Sequence, residues 1–427
     1  MKVNVEQLSE VKKKVHVEIP VEEVTKEVDS AYEDLRKKAK IKGFRPGKAP
    51  RGILERYFKD YIKTEVLQKL IQDTYPKAFS EASLTPVSSP VIDPQELELG
   101  KPFQYTATIE TKPNIKTENY LGLKIEGKKE EVREEEVEER LRALQNLHAN
   151  LKTIIDSRPI RTGDYAIIDY EASMDGKTLE EAKAVDFTIE VGSNRFIPAL
   201  EEKLVGLRPE EEKEIEITFP EDFSYKKWAG KTVSFRVKIK EIKEKILPLL
   251  DDEFARDLGD FSSLENLKSK LREDIEKEKK LALDRQMKDQ LVEQLLQANP
   301  FEVPESMVEA QTHSLISDLK ARLATQGMDM KNLDIPEEKL HEDYKERAQK
   351  QVRTFLILEK ISDQEGITVT DQEVEGRLGE ISQRTNQKLD LVKRYYEKNE
   401  LIPEVKAGIL TDKTLNFLLE KADITYR

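Results

Sequence analysis

The chain has 427 residues, a formal net charge of -13, 37% charged and 37% hydrophobic residues, and no cysteine. At roughly 100 to 200 residues per domain the length implies two to four domains, and so much charge against so little apolar material favours an elongated, helix-rich molecule over one compact globule. Disulfide scaffolds, thiolate metal sites and cysteine nucleophiles are excluded; with no apolar run near the ~18 residues a membrane span needs, and no signal-like start, a soluble cytoplasmic protein is expected.

In chain order, "KKKVHVEIP" alternates Val15, Val17 and Ile19 as a half-buried strand does, and Pro20 is a favoured first helical residue. Two helices follow, separated by "IKGFRPGKAP" at positions 41–50. Next come "TPVSSPVID" and "PFQYTATIE", the latter alternating Phe103, Tyr105, Ala107 and Ile109 like an antiparallel strand. Residues 1–112 are therefore expected to form a small α+β domain.

Charge is concentrated there. Between Arg36 and Lys63 there are 11 basic residues against 2 acidic ones. On an acidic chain such a patch suggests one directed contact with a polyanion, and the alternative is a lysine-rich solvated helix-loop-helix.

Residues 113–156 read as an extended piece and one exposed, densely charged helix, a linker. Residues 157–245 change to short strands, "YAIIDYEASM", "DFTIEV", "EKEIEITFP" and "KTVSFRVKIKEI", with "IPALEEKL" as a short covering helix over a small antiparallel sheet. Residues 246–427 are almost wholly helical. Ser262 and Glu265 have capping-box spacing, as do Thr370 and Glu373, and Val308, Leu315, Ile316, Leu319 and Leu323 form a stripe on the helix that begins at Pro304. Half-apolar helices of this length need one another, so an arm-like bundle is expected. The fold class is α+β and multidomain.

"GFRPGKAP", between two helices of an N-terminal α+β domain, resembles the ribosome-docking loop of the bacterial trigger factor family. The order of docking domain, linker, a module similar to FK506-binding prolyl isomerases, and a long helical part covers the whole chain. The resemblance implies an ATP-independent, ribosome-associated chaperone with no cofactor, which shields nascent and unfolded polypeptides during folding and export, isomerises X-Pro bonds and dimerises off the ribosome. Gly43 and Gly47 permit a sharp tip, Pro46 stiffens it, Phe44 offers an apolar anchor, and Arg45 and Lys48 can pair with acidic side chains of a ribosomal protein or with RNA phosphates.

Carried over from the same resemblance, the prolyl pocket comprises Tyr170, Leu179, Phe187, Ile197, Leu200, Phe219, Phe223 and Phe235. Rotation about the amide faces a barrier of ~18–20 kcal/mol, and a dry apolar site can favour the twisted, less conjugated transition state without a nucleophile or metal. The family usually has glycine at the place of Ala199, an aromatic at that of Leu200, and often tyrosine at that of Phe223, which lowers the expected isomerase activity. The alternative is that these residues simply fill the core of a small sheet. Trp228 lies in a later loop, away from the usual pocket floor.

The resemblance also implies that the C-terminal helices form two arms that bind clients, with Met328, Met330, Tyr395 and Tyr396 near turns as adaptable contacts. "GKT" at Gly176 and Gly230 lacks the preceding glycine of a phosphate loop, with Glu171 and Tyr225 in its place, so no ATPase is expected. His16, His148, His313 and His341 lack metal-ligand spacing and read as ordinary histidines. Two rival functions remain: a plain prolyl isomerase with helical targeting domains, and a nucleic-acid-binding protein.

Overall fold

A computed structural model describes residues 1–38, 44, 48–156, 158–174, 176–223, 225, 227–326 and 336–426. The fold is α+β, and the chain divides into two compact units, residues 1–128 with 284–427, and residues 129–283. Among the described residues no helix is long and apolar enough to cross a membrane.

In the first unit, β1 (Lys2–Gln7), β2 (Lys12–Ile19), β3 (Val91–Pro94) and β4 (Phe103–Glu110) form an antiparallel sheet in the order β1-β2-β4-β3. The alternation in β2 and β4 settles its register: Val15 faces Ala107, Val17 faces Tyr105, and Ile19 faces Phe103. One face of this sheet is therefore continuously apolar. It is covered by α1 (Val21–Lys38) and α2 (Arg51–Glu81), which contribute Val24, Val28, Leu54, Ile62, Val66 and Leu70 to the same core. The buried Tyr105 hydroxyl meets Thr74 Oγ1 at 2.9 Å, so its polar end keeps a partner.

The rest of this unit is β5 (Lys124–Gly127) and a run of helices. In the second unit lie α3 (Glu134–Leu147), β6 (Asn150–Thr153), β7 (Tyr165–Met174), β8 (Lys177–Glu190), α4 (Pro198–Leu204), β9 (Glu212–Thr218), β10 (Thr232–Ile246) and α5 (Asp252–Leu258). Its sheet is antiparallel, β6-β10-β7-β8, with β9 paired to the earlier part of β10 on the same edge as β6. The inward residues Ile168, Ala172, Ile215, Val233, Val237 and Ile239 are buried, and Leu200 and Leu204 of α4 join that core.

The helix α3 is more than an exposed linker. Its Val137 and Leu141 are buried with Phe254 of α5 and with Leu267, Leu271 and Ile275 of α6 (Leu264–Ala298). Dense Glu and Arg on the other faces hid this narrow apolar stripe. The start of α6 also differs from expectation: Ser263, not Ser262, accepts from Asn266 N–H at 3.2 Å, and Asp252 accepts from Leu264 N–H at 2.8 Å.

The C-terminal helices of the first unit are α7 (Glu305–Thr325), α8 (Glu337–Glu365), α9 (Asp371–Thr385), α10 (Leu389–Lys398) and α11 (Ile402–Glu420). In α7, Val308 and Ile316 are buried with Thr312 between them, whereas Leu315, Leu319 and Leu323 are half-buried. The helix α8 stops at Gly366, whose φ of 66° is easily adopted by glycine. After α11, β11 (Asp423–Tyr426) pairs in parallel with β5, a long-range pairing that local pattern did not suggest.

Candidate functional site

Two places gather side chains that the remainder of the fold does not require. The first is the crossing from α1 to α2. Phe44 is exposed (38%), and Lys48 is exposed beside the buried Ala49. Gly43, Arg45, Pro46 and Gly47 lie outside the described residues. The base of the crossing is fastened by Arg51, which donates to Asp29 at 2.6 Å and to Glu55 at 2.7 Å and stands over the Tyr32 ring at 5.2 Å. Those two carboxylates hold the Arg51 guanidinium above its ordinary pKa, with Glu55 the larger influence.

On α2, Tyr57 and Tyr61 are exposed on either side of a kink at Phe58. Arg36, Lys48, Arg56 and Lys59 form no ion pair with an acidic side chain among the described residues. The exposed side chains of α1, α2 and the stretch before α2 thus include both aromatic rings and cations outside ion pairs, which suits a partner with both apolar and anionic character. Sequence reasoning singled out Gly43 to Lys48, of which only Phe44 and Lys48 are described, and did not name Arg51, Tyr57 or Tyr61. The i, i+4 spacing of the tyrosines was the available signal.

The second place is in the sheet of residues 129–283. Tyr170 of β7, Phe187 of β8 and Phe196, just before α4, form a triangle of rings with centroid separations of 5.5, 5.5 and 4.9 Å. A second group joins Phe219 to Phe223 at 4.5 Å, Phe219 to Trp228 at 5.3 Å, and Trp228 to Phe235 at 6.0 Å. Both groups rest on one core that includes Ile197 and Leu200. Of the expected pocket residues, Tyr170, Leu179, Phe187 and Phe223 are half-buried, while Ile197, Leu200, Phe219 and Phe235 are buried, Leu200 completely. The first four keep part of their surface exposed, and the others are buried in the core on which they pack.

Phe196 and Trp228 were not among the expected pocket residues. Trp228 does lie in a loop, but its ring packs on Phe219 and Phe235 instead of standing apart. Loop position carries no periodicity, so only the tertiary fold places either ring.

Glu201 organises the segment that presents Phe196. Its carboxylate is fully buried and accepts from Asn194 N–H at 2.8 Å and Phe196 N–H at 3.0 Å. Two backbone donors satisfy a charge that burial would otherwise make costly, and in return the turn is pinned. A further brace is Arg158, bidentate to Asp164 at 2.6 and 2.8 Å. Burial pushes the Asp164 carboxyl up, but the Arg158 and Arg161 N–H hydrogen bonds outweigh it and hold the group below its ordinary range. A tyrosine hydroxyl is protonated and able to donate near neutral pH, and desolvation raises that of Tyr170 further above its ordinary value. Chemically the surface is apolar with one hydroxyl, fit for holding a ring and a polarisable amide.

Of the expected client contacts, Tyr395 is exposed (60%), while Tyr396 is half-buried against the cluster of Val374, Leu378, Val392 and Ile409. Leu391, one turn before Tyr395, is exposed as well and had gone unnoticed. Met328 and Met330 lie outside the described residues.

Family models match three stretches: "Bacterial trigger factor protein (TF)" over residues 1–144, "FKBP-type peptidyl-prolyl cis-trans isomerase" over residues 156–240, and "Bacterial trigger factor protein (TF) C-terminus" over residues 263–420. Curated relatives include the trigger factor of Geotalea daltonii, 39% identical over 100% of this chain and 98% of that protein. The trigger factor of Geotalea uraniireducens is 38% identical over 99% of this chain and 98% of its own. A solved structure described as "Promiscuous Substrate Recognition in Folding and Assembly Activities of the Trigger Factor Chaperone" shares the fold, with a TM-score of 0.51 at 22% identity over 99% of this chain and 100% of that one.

Proposed function

This chain belongs to the bacterial trigger factor family, ribosome-associated chaperones with an FKBP-type peptidyl-prolyl isomerase domain, and from that premise we propose how its parts divide the work. Residues 1–112 dock on the ribosome near the tunnel exit through Gly43, Phe44, Arg45, Pro46, Gly47 and Lys48. Residues 113–156 connect, residues 157–245 isomerise X-Pro bonds, and residues 246–427 hold unfolded clients without ATP. The molecule works in the cytoplasm and dimerises when off the ribosome.

The observation that carries the docking role is Phe44, an aromatic side chain left 38% exposed at a helix crossing whose base Arg51 has fastened. A stiff base limits the order lost on docking, and the neighbouring cations make the encounter sensitive to salt. At the aromatic surface, a proline ring sits against Tyr170, Phe187 and Phe223 while the Tyr170 hydroxyl donates to a carbonyl of the twisting segment. Water excluded by the rings favours the less conjugated transition state. Client segments contact the exposed apolar pair Leu391 and Tyr395.

Co-sedimentation of the full chain with ribosomes at rising salt, beside a mobility-shift titration with free RNA, tests this reading. Salt-sensitive pelleting with no shift of free RNA is expected. A shift of free RNA as strong as the ribosome binding would favour a general nucleic-acid-binding protein instead.

A further inference from the structure

Two histidines far apart in sequence meet on the paired helices α7 and α8. His313 lies one turn after Glu309 on α7, and its Nδ1 is 2.9 Å from the Glu309 carbonyl oxygen. A carbonyl only accepts, so Nδ1 carries the proton and Nε2 keeps its lone pair. His341 belongs to the first turns of α8, and its Nε2 stands 2.7 Å from Glu309 Oε2. The two imidazoles meet edge to face with centroids 5.9 Å apart. One ligand atom from each of Glu309, His313 and His341 lies within 4.8 Å of the others.

We propose that Glu309, His313 and His341 bind a divalent transition-metal ion of the zinc class, joining α7 to α8. Two imidazole nitrogens and one carboxylate oxygen make a borderline donor set that suits Zn2+ and disfavours Mg2+ or Ca2+, which prefer all-oxygen shells. Tetrahedral ligand bonds of about 2.1 Å place donor atoms roughly 3.4 Å apart, so His341 Nε2 and Glu309 Oε2 open from 2.7 Å while the exposed His313 side chain closes in. The Nδ1 bond to the Glu309 carbonyl is the orienting contact that metal-bound histidines commonly have. On binding, any proton on His341 Nε2 leaves to solvent and the metal takes its place between that nitrogen and Glu309 Oε2.

Lys345 is the nearest competing cation, 3.7 Å from Glu309 Oε1 and 3.8 Å from Glu305 Oε1. It addresses the other carboxylate oxygen, so Oε2 remains available to the metal. With three protein ligands, water completes the shell, and the ion acts as a removable clamp between the middle of α7 and the beginning of α8. Glu309 and His313 are spaced i, i+4 on α7, but the third ligand, His341, comes from α8, so sequence spacing alone does not assemble the site.

The test is calorimetric titration of the full chain with Zn2+ and, separately, Mg2+, using the native sequence and the variants His313→Ala, His341→Ala and His16→Ala. One saturable Zn2+ site reversed by a chelator is expected, weakened at least tenfold by His313→Ala or His341→Ala and unchanged by His16→Ala, with no such site for Mg2+. Because His313 is exposed, its variant should keep the native circular dichroism, so loss of binding there cannot be attributed to unfolding. No saturable Zn2+ binding to the native chain, or binding by the two helix variants as tight as that of the native chain, would overturn the proposal.

Discussion

Glu373 and Thr370 cap each other at the start of α9: Glu373 Oε2 accepts the Thr370 N–H at 2.7 Å, and Thr370 Oγ1 accepts the Glu373 N–H at 3.3 Å. Lys413 of α11 adds an ion pair at 2.6 Å, and with the cap it holds the Glu373 carboxyl down at about 2. The hydrogen bond from Lys413 is the larger cause. A folded pKa below the ordinary 4.5 means that the carboxylate's contribution is complete above that value and is lost as pH falls toward 2. Thermal melts between pH 5 and about 2 should lose stability in the native protein and do so less steeply in Glu373→Gln. Thr370→Ala should cost about 1 kcal/mol near neutral pH.

Leu200 and Phe187 should fail in different ways. Leu200 is completely buried on the inner face of α4, so Leu200→Ala is expected to cost about 2–5 kcal/mol in denaturant unfolding. Phe187 is half-buried between Tyr170 and Phe196. Phe187→Ala should lower kcat/KM for a proline-containing peptide at least tenfold while the protein remains folded, and equal loss of stability in both variants would refute the distinction.

Glu201→Gln replaces one of two acceptor oxygens with a donor, setting an N–H against an N–H at the turn before α4. About 1–3 kcal/mol of stability should be lost. Because the turn carries Phe196, isomerase activity should fall as well, and Trp228 fluorescence should shift if the disturbance reaches the second ring group.

Arg51 is half-exposed, so its pairs with Asp29 and Glu55 should contribute under about 1 kcal/mol to folding. Its larger effect should be on docking. Arg51→Ala is expected to weaken ribosome pelleting several-fold at unchanged melting temperature, and unaltered pelleting would show that the base of the crossing needs no fastening.

Much of the fold was legible where one face of an element is buried. The alternation of Val15, Val17 and Ile19 against Phe103, Tyr105 and Ala107 is a direct record of a one-sided sheet. The Thr370–Glu373 cap is local and was readable from spacing alone. What escaped depends on partners distant in sequence: the buried stripe of α3, the parallel pairing of β5 with β11, and the approach of His341 to Glu309. In the aromatic surface the strand residues Tyr170, Phe187 and Phe235 had been named from the family resemblance. Phe196 and Trp228 sit on turns, whose geometry is decided by contacts such as those of Glu201 and not by periodicity.

The most direct measurement is co-sedimentation with bacterial ribosomes of the intact protein and a Phe44→Ala, Arg45→Ala variant at low and moderate salt, with prolyl isomerase activity assayed on the same preparations. Docking through the exposed Phe44 requires that the intact protein pellet, that the variant remain in the supernatant, and that both isomerise equally. Equal pelleting of the two proteins, or of neither, would contradict it.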